Sequence, residues 1–183
     1  MLRGTMLLGV AIGILSLTAC VSGNRAPSFE LRDDRGQAWS FDDQPGAVVL
    51  FFGYTHCPDT CPLTLAKLSR ALTQAGPAGD DISVAFVTVD PARDTPAVLH
   101  EYLSPFGSRF VGLTGTASQI EAVERSYHVW AAKLPSKTGG YGYNEAHSST
   151  IFFIDRSRNI ASLHDPTDSE AELVRAIREL STQ

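Results

Sequence analysis

Two continuous apolar runs of β-prone residues, at 47–53 (AVVLFFG) and 82–89 (ISVAFVTV), constrain the fold of this chain more than any other feature. A strand with one wet face alternates in polarity, whereas a run without alternation suits a strand buried on both faces, as in the parallel sheets of α/β domains. Between the two runs Leu63, Leu65, Ala66, Leu68 and Leu72 recur at near-helical spacing, and Gly76-Pro77 closes the segment. A strand, helix, strand unit of this kind implies parallel strands. Further helices are expected at 96–104 and 118–127, the second opening on a capping box of Ser118 and Glu121, with a short strand at 110–113. Residues 150–155 and 159–164, joined by Arg156-Ser157-Arg158, read as a hairpin, and 168–180 as a last helix.

Parallel unit first, hairpin and helix last, is the plan of a thioredoxin-like α/β layer: a central mixed sheet flanked by helices, with extra elements inserted in the middle. At 183 residues and 43% hydrophobic, the chain has enough apolar material for one domain with its own core. Residues 134–146, holding Gly139, Gly140 and Gly142 with Tyr141 and Tyr143, read as a 13-residue loop, a length usually kept for function. This loop delivers the chain to His147.

Chemistry concentrates where the first strand turns into the helix, in Phe-Phe-Gly-Tyr-Thr-His-Cys-Pro-Asp-Thr-Cys-Pro at 51–62. That turn lies at the carboxyl edge of the sheet, where open α/β sheets bind ligands. Pro62 suits the first helical turn, which needs no backbone donor, so Cys61 falls at the helix start and Cys57 in the preceding loop. Unpaired N–H groups and the helix dipole favour an anion there, and both thiols are expected to ionise more readily than a free cysteine. A Cys57–Cys61 disulfide is sterically open to the chain, but so small a loop removes little unfolded-state entropy. A redox or metal role is better motivated than a staple, and the pair alone serves thiol exchange and metal binding equally.

Finger-type zinc sites want four ligands at characteristic spacing, and only one close cysteine pair is present. His147 is the candidate third ligand, because the neighbouring sheet can bring the end of the long loop close to the thiols. A histidine taken alone more often bonds a loop carbonyl. Two thiolates, alone or with an imidazole, suit Cu(I), while Cu(II) gains from the imidazole and accepts added oxygen donors, so this set could hold copper in either oxidation state. His56 adjoins Cys57, but side chains of consecutive residues diverge, and local hydrogen bonding is its expected role. Asp90 follows the second buried strand near the same sheet edge and could contact the site or its partner, but the expected role of Asp90, Arg93 and Asp94 is to cap the following helix and fix its turn.

The opening residues carry a different message. Arg3 is the only charge ahead of an apolar run that extends from Met6 to Ala19, 14 residues against the roughly 20 that span a bilayer. Leu17-Thr18-Ala19-Cys20 resembles a bacterial lipobox, which implies cleavage of 1–19 and a lipid on Cys20. Residues 20–27 then form a lipidated tether and 28–183 the domain, held on the extracytoplasmic, periplasmic side of a membrane by its lipid. Losing 1–19 takes away Arg3 and no acid, so the net charge moves from −5 to −6. Such a surface leaves no basic reservoir for nucleic acid.

The motif at 51–62, Val-Asp-Pro-Ala-Arg-Asp-Thr-Pro at 89–96 and His147-Ser148 together resemble the SCO/SenC family. The resemblance runs from Pro27-Ser28-Phe29 to the final helix and implies a thioredoxin-like fold. It also implies a copper-binding assembly factor for cytochrome c oxidase, whose partner is the copper-centre subunit of the oxidase, with Cys57, Cys61 and His147 as the copper ligands. One departure stands out: the family often has Asp just before the ligand histidine, where this chain has Ala146, with Glu145 one position earlier. If that Asp orients the imidazole, its absence bears on tuning and leaves the ligand count unchanged. The competing function is a membrane-tethered thiol-disulfide oxidoreductase cycling Cys57 and Cys61. A peroxiredoxin-type peroxidase fits less well, because it wants a nucleophilic cysteine among Thr and Arg.

Overall fold

The computed structural model describes residues 24–135 and 143–182. The apolar opening segment, Cys20 and the stretch 136–142 lie outside the described residues. In chain order the elements are β1 (Glu30–Asp33), β2 (Ala38–Ser40), β3 (Ala47–Gly53), α1 (Thr60–Ala75), β4 (Ile82–Thr88) and α2 (Pro96–Leu103). There follow β5 (Phe110–Thr114), α3 (Ala117–Ser126), β6 (Ala131–Pro135), β7 (Tyr143–His147), β8 (Ile151–Ile154), β9 (Ile160–His164) and α4 (Glu170–Leu180). Seven strands form one mixed sheet in the order β2-β1-β5-β4-β3-β8-β9, while β6 and β7 pair as a separate antiparallel ribbon.

The two unalternated runs become the centre of the sheet. β3 and β4 pair in parallel from Ala47 beside Ile82 to Gly53 beside Thr88, and every residue of β3 is buried. Their pleat divides the core. Val49, Phe51, Val84 and Phe86 face a cluster built with Leu65, Leu68 and Leu72 of α1, Leu99 and Leu103 of α2, and Leu173 and Ile177 of α4. Val48, Leu50, Phe52, Ala85 and Val87 face the other cluster, filled by Phe29, Trp39 and Phe41 from the N-terminal hairpin and by Ile120, Val123 and Tyr127 around α3. A strand packed on both sides has no solvent face on which to place polar residues, hence the apolar runs. β8 and β9 form the expected hairpin beyond β3.

Two expectations need correction, and two strands appear that the sequence did not suggest. β6 and β7 occupy both ends of what reads as a loop, with Ala131 opposite His147 and Pro135 opposite Tyr143; glycines and tyrosines mask the alternation that would mark the strands. The capping box of α3 is Thr116 with Gln119, two residues before the expected Ser118 and Glu121. β1 and β2 are too short to show periodicity and were not expected. Ahead of β1, Arg25 bridges to Asn159, and the Ala26 N–H donates to the Arg158 carbonyl at 2.8 Å. Among the described residues no helix is long and apolar enough to cross a membrane.

Candidate metal centre

β3 ends on Gly53 because nothing larger fits. A Cβ there would lie 2.6 Å from the Phe86 ring and 2.9 Å from Cys61 Sγ, so the bare backbone lets the thiol of α1 close over the strand end. The chain then turns, with the Cys57 N–H donating to the Tyr54 carbonyl at 3.2 Å, and enters α1. Asp59 stands at the N-cap but makes no side-chain cap bond. Instead Cys57 Sγ accepts the Cys61 N–H at 3.4 Å, so a sulfur satisfies one of the donors that a helix start leaves open. Cys61 is fully buried and Cys57 half-buried. Both are free thiols in the structure.

Asp94 holds this turn from behind. Fully buried at the end of the loop after β4, it accepts from the Thr55 N–H at 3.1 Å, from Thr55 Oγ1 at 2.6 Å and from Thr88 Oγ1 at 2.6 Å. The expected helix-capping role belongs to Thr95, whose hydroxyl accepts the Val98 N–H. Asp90 is likewise buried and ties the ribbon to the sheet: Arg93 Nε donates to it, and so does the Tyr143 hydroxyl at 2.8 Å. The Arg93 guanidinium lies 3.8 Å over the Tyr143 ring and donates to the Tyr143 carbonyl at 3.1 Å. His56 Nδ1 is 3.1 Å from Thr55 Oγ1 and 3.9 Å from Asp94 Oδ1.

Held by these anchors, β7 places Tyr143, Glu145 and His147 on one face. His147, 86 positions from Cys61, puts Nε2 3.8 Å from Cys61 Sγ. Its Nδ1 lies 2.9 Å from the Ser148 carbonyl, which only accepts, so Nδ1 carries the hydrogen and Nε2 presents a lone pair to the sulfur. Tyr54 meets the imidazole edge-on, with centroids 5.9 Å apart. An ion bound by sulfur at about 2.3 Å and nitrogen at about 2.0 Å separates those two atoms by roughly 3.5 to 3.7 Å, so the observed spacing suits a shared ligand set. Among the described residues no three His, Cys, Asp or Glu side chains already surround a common point.

The Ser148 carbonyl is the hydrogen-bond partner of the imidazole Nδ1, and Glu145 lines a different cleft. Its side chain is buried toward α3, in a cleft with Ile120 and Glu124. Residues 143–147 alternate tyrosine, glutamate and histidine at every second position, the one signal that could have revealed both the strand and Tyr143 as an anchor. Asp94 and Ser148 carry no such signal, since their roles depend on contacts between distant segments.

The two thiols do not ionise alike, contrary to the sequence expectation. Cys57 drops from 9.0 to about 5: the hydrogen bond from the Cys61 thiol lowers it most, against burial, and the Asp59 and Cys61 N–H groups and His147 lower it further. Cys61 moves upward, first because its proton is held by Cys57, then by burial and the nearby Cys57 charge. The site therefore stores one half-buried thiolate and one buried thiol that shares its proton, beside the His147 imidazole. Such a donor set is soft, and it takes up a soft cation with release of the remaining thiol proton.

The SCO1/SenC family model matches residues 22–182. An SCO2-like protein from Rickettsia felis is 38% identical over 128 residues, covering 69% of this chain and 62% of its own length. The chain thus spans about six-tenths of the length of that relative. Among solved structures, Bradyrhizobium japonicum ScoI with copper bound superposes with a TM-score of 0.75 at 35% identity, covering 85% of this chain and 99% of that one. Yeast Sco1 with copper bound gives 0.77 at 31% identity, covering 87% and 90%.

Proposed function

This chain belongs to the SCO1/SenC family and has its thioredoxin-like fold, and we propose that it is a copper metallochaperone. Copper is its cargo, held by Cys57, Cys61 and His147 and passed by ligand exchange to the binuclear copper centre of a cytochrome c oxidase subunit. The observation that carries this reading is the approach of His147 Nε2 to Cys61 Sγ at 3.8 Å with its tautomer fixed by the Ser148 carbonyl. A family of copper-binding structures that includes the Bradyrhizobium and yeast proteins supports the choice of ion. In this reading 1–19 is a signal peptide, and Cys20 carries the lipid that holds the domain at the periplasmic face of the membrane. Anaerobic titration of the reduced protein with Cu(I) and Cu(II) tests the assignment: one ion per chain with sulfur ligation is expected, and a stoichiometric site lacking sulfur would refute it.

The asymmetry of the thiols favours a second activity at the same residues. A half-buried thiolate at Cys57 attacks one sulfur of a partner disulfide, forms the mixed disulfide and expels the other sulfur as thiolate. The Cys61 thiol then loses its proton and attacks Cys57, which releases the reduced partner and leaves a Cys57–Cys61 disulfide. An external dithiol reductant restores the pair. His147→Ala separates the two readings. Copper affinity should fall at least tenfold, while reduction of a model disulfide should stay within about threefold of the parent, because nucleophile and leaving group are both sulfur. Loss of both activities together would contradict the assigned division of roles.

A further inference from the structure

The cleft between α3 and the β6–β7 ribbon holds carboxylates that the thiol and imidazole site does not use. Its volume is about 460 Å³, with Pro91, Ile120 and Ala131 among its apolar walls and Glu121, Glu124 and Glu145 as its acids. Glu145 is only 7% exposed, and its Oε1 is buried with no hydrogen-bond partner. A carboxylate oxygen in that position has surrendered its water and received nothing in return. Lys133, its cross-strand neighbour, also borders the cleft but directs its ammonium over the Tyr143 ring at 4.6 Å. Glu124 is raised to about 7 by burial, and Glu121 and Glu145 push it further in the same direction. Glu121 lies at the rim, 3.6 Å from Arg125 of its own helix.

The space and its lining select the kind of cation. Among the described residues no three acids surround a common point, and the volume far exceeds what a bare ion needs. Apolar walls with acids at depth suit a long aliphatic stem that ends in a charge. A guanidinium fits better than an ammonium, because it is weakly hydrated and offers five donors in a plane to more than one carboxylate. We propose that this cleft receives the side chain of an arginine presented by a partner polypeptide, with its methylenes on Pro91, Ile120 and Ala131 and its guanidinium on Glu124 and Glu145. Glu145 and His147 project from the same face of β7 about 7 Å apart along the strand, so a polypeptide anchored here lies beside the thiols.

The test uses the full chain and Nα-acetylarginine methylamide, followed by NMR on the Ala131, Ala132 and Ile120 methyl groups at constant ionic strength. Saturable shifts confined to these methyls at millimolar probe are expected, with none from the neutral citrulline analogue. Glu145→Gln and Glu124→Gln should each weaken the response about tenfold, and the rim variant Glu121→Gln less than threefold. Equal shifts from the citrulline analogue, unchanged saturation in both inner variants, or no response to the arginine probe would overturn the proposal. So would Mn²⁺ broadening of the same methyls under conditions where arginine leaves them unmoved, which would assign the cleft to a metal ion.

Discussion

Cys57 is the residue on which the chemistry turns, and its ionisation has a readable consequence. Its pKa of about 5 means that the thiolate is formed above that pH and lost below it. Alkylation of Cys57 by iodoacetamide, followed by peptide mass spectrometry, should rise through an inflection near pH 5 and then level off, whereas an ordinary thiol keeps gaining reactivity up to about 9. Cys61 should stay unreactive over that range, since its own shift is upward. Because the Cys61 thiol is the largest cause of the lowered value, Cys61→Ala should move the inflection to higher pH. An unmoved inflection would show that the helix N-terminus alone sets it. Gly53 is constrained by space. Gly53→Ala drives a methyl into the Phe86 ring and Cys61 Sγ, at a cost of about 1–3 kcal/mol in urea unfolding.

Between residue and domain, the ribbon and the motif turn are held by the two buried aspartates after β4. Asp94 serves Thr55 of the thiol loop and Thr88 at the end of β4, and Asp90 serves Tyr143 of the histidine ribbon, so one short loop registers both halves of the site. Asp94→Ala strands buried donors and should cost about 1–3 kcal/mol, with faster amide exchange at Thr55 than in the parent. Tyr143→Phe removes one hydrogen bond and keeps the ring under Arg93. It should loosen the ribbon without unfolding the sheet: exchange rises at 143–147, stays unchanged in β3 and β4, and the unfolding midpoint shifts by about 1 kcal/mol or less. Protection lost equally in β3 would mean that the ribbon and sheet open together.

For the whole molecule, copper would join α1 to β7, two segments that belong to the sheet layer and to the separate ribbon. An ion that binds the native state alone raises stability by mass action, about 2.7 kcal/mol at a hundred times its dissociation constant. Reduced protein loaded with Cu(I) should therefore melt several degrees higher than the apoprotein. In His147→Ala most of that increment should vanish, while the apo melting temperatures of the two proteins stay close because the imidazole lies in no core cluster. An equal increment in the variant would place the ion on the thiols alone.

The buried parallel pair, the closing hairpin and helix, and the location of the thiols at a strand-to-helix turn were legible in the sequence, because each depends on local periodicity or on residues a few positions apart. His147 was nameable as a candidate from its place in the chain, and the family resemblance supplied its role. Tertiary structure alone decided that residues 131–135 and 143–147 pair into a ribbon, and that Asp90 and Asp94 serve distant segments and leave the next helix to its own cap. It also decided that the Ser148 carbonyl sets the imidazole, and that two thiols four positions apart ionise in opposite directions. Each of those outcomes depends on burial and on partners brought from elsewhere in the chain, and no local pattern encodes which distant group will arrive.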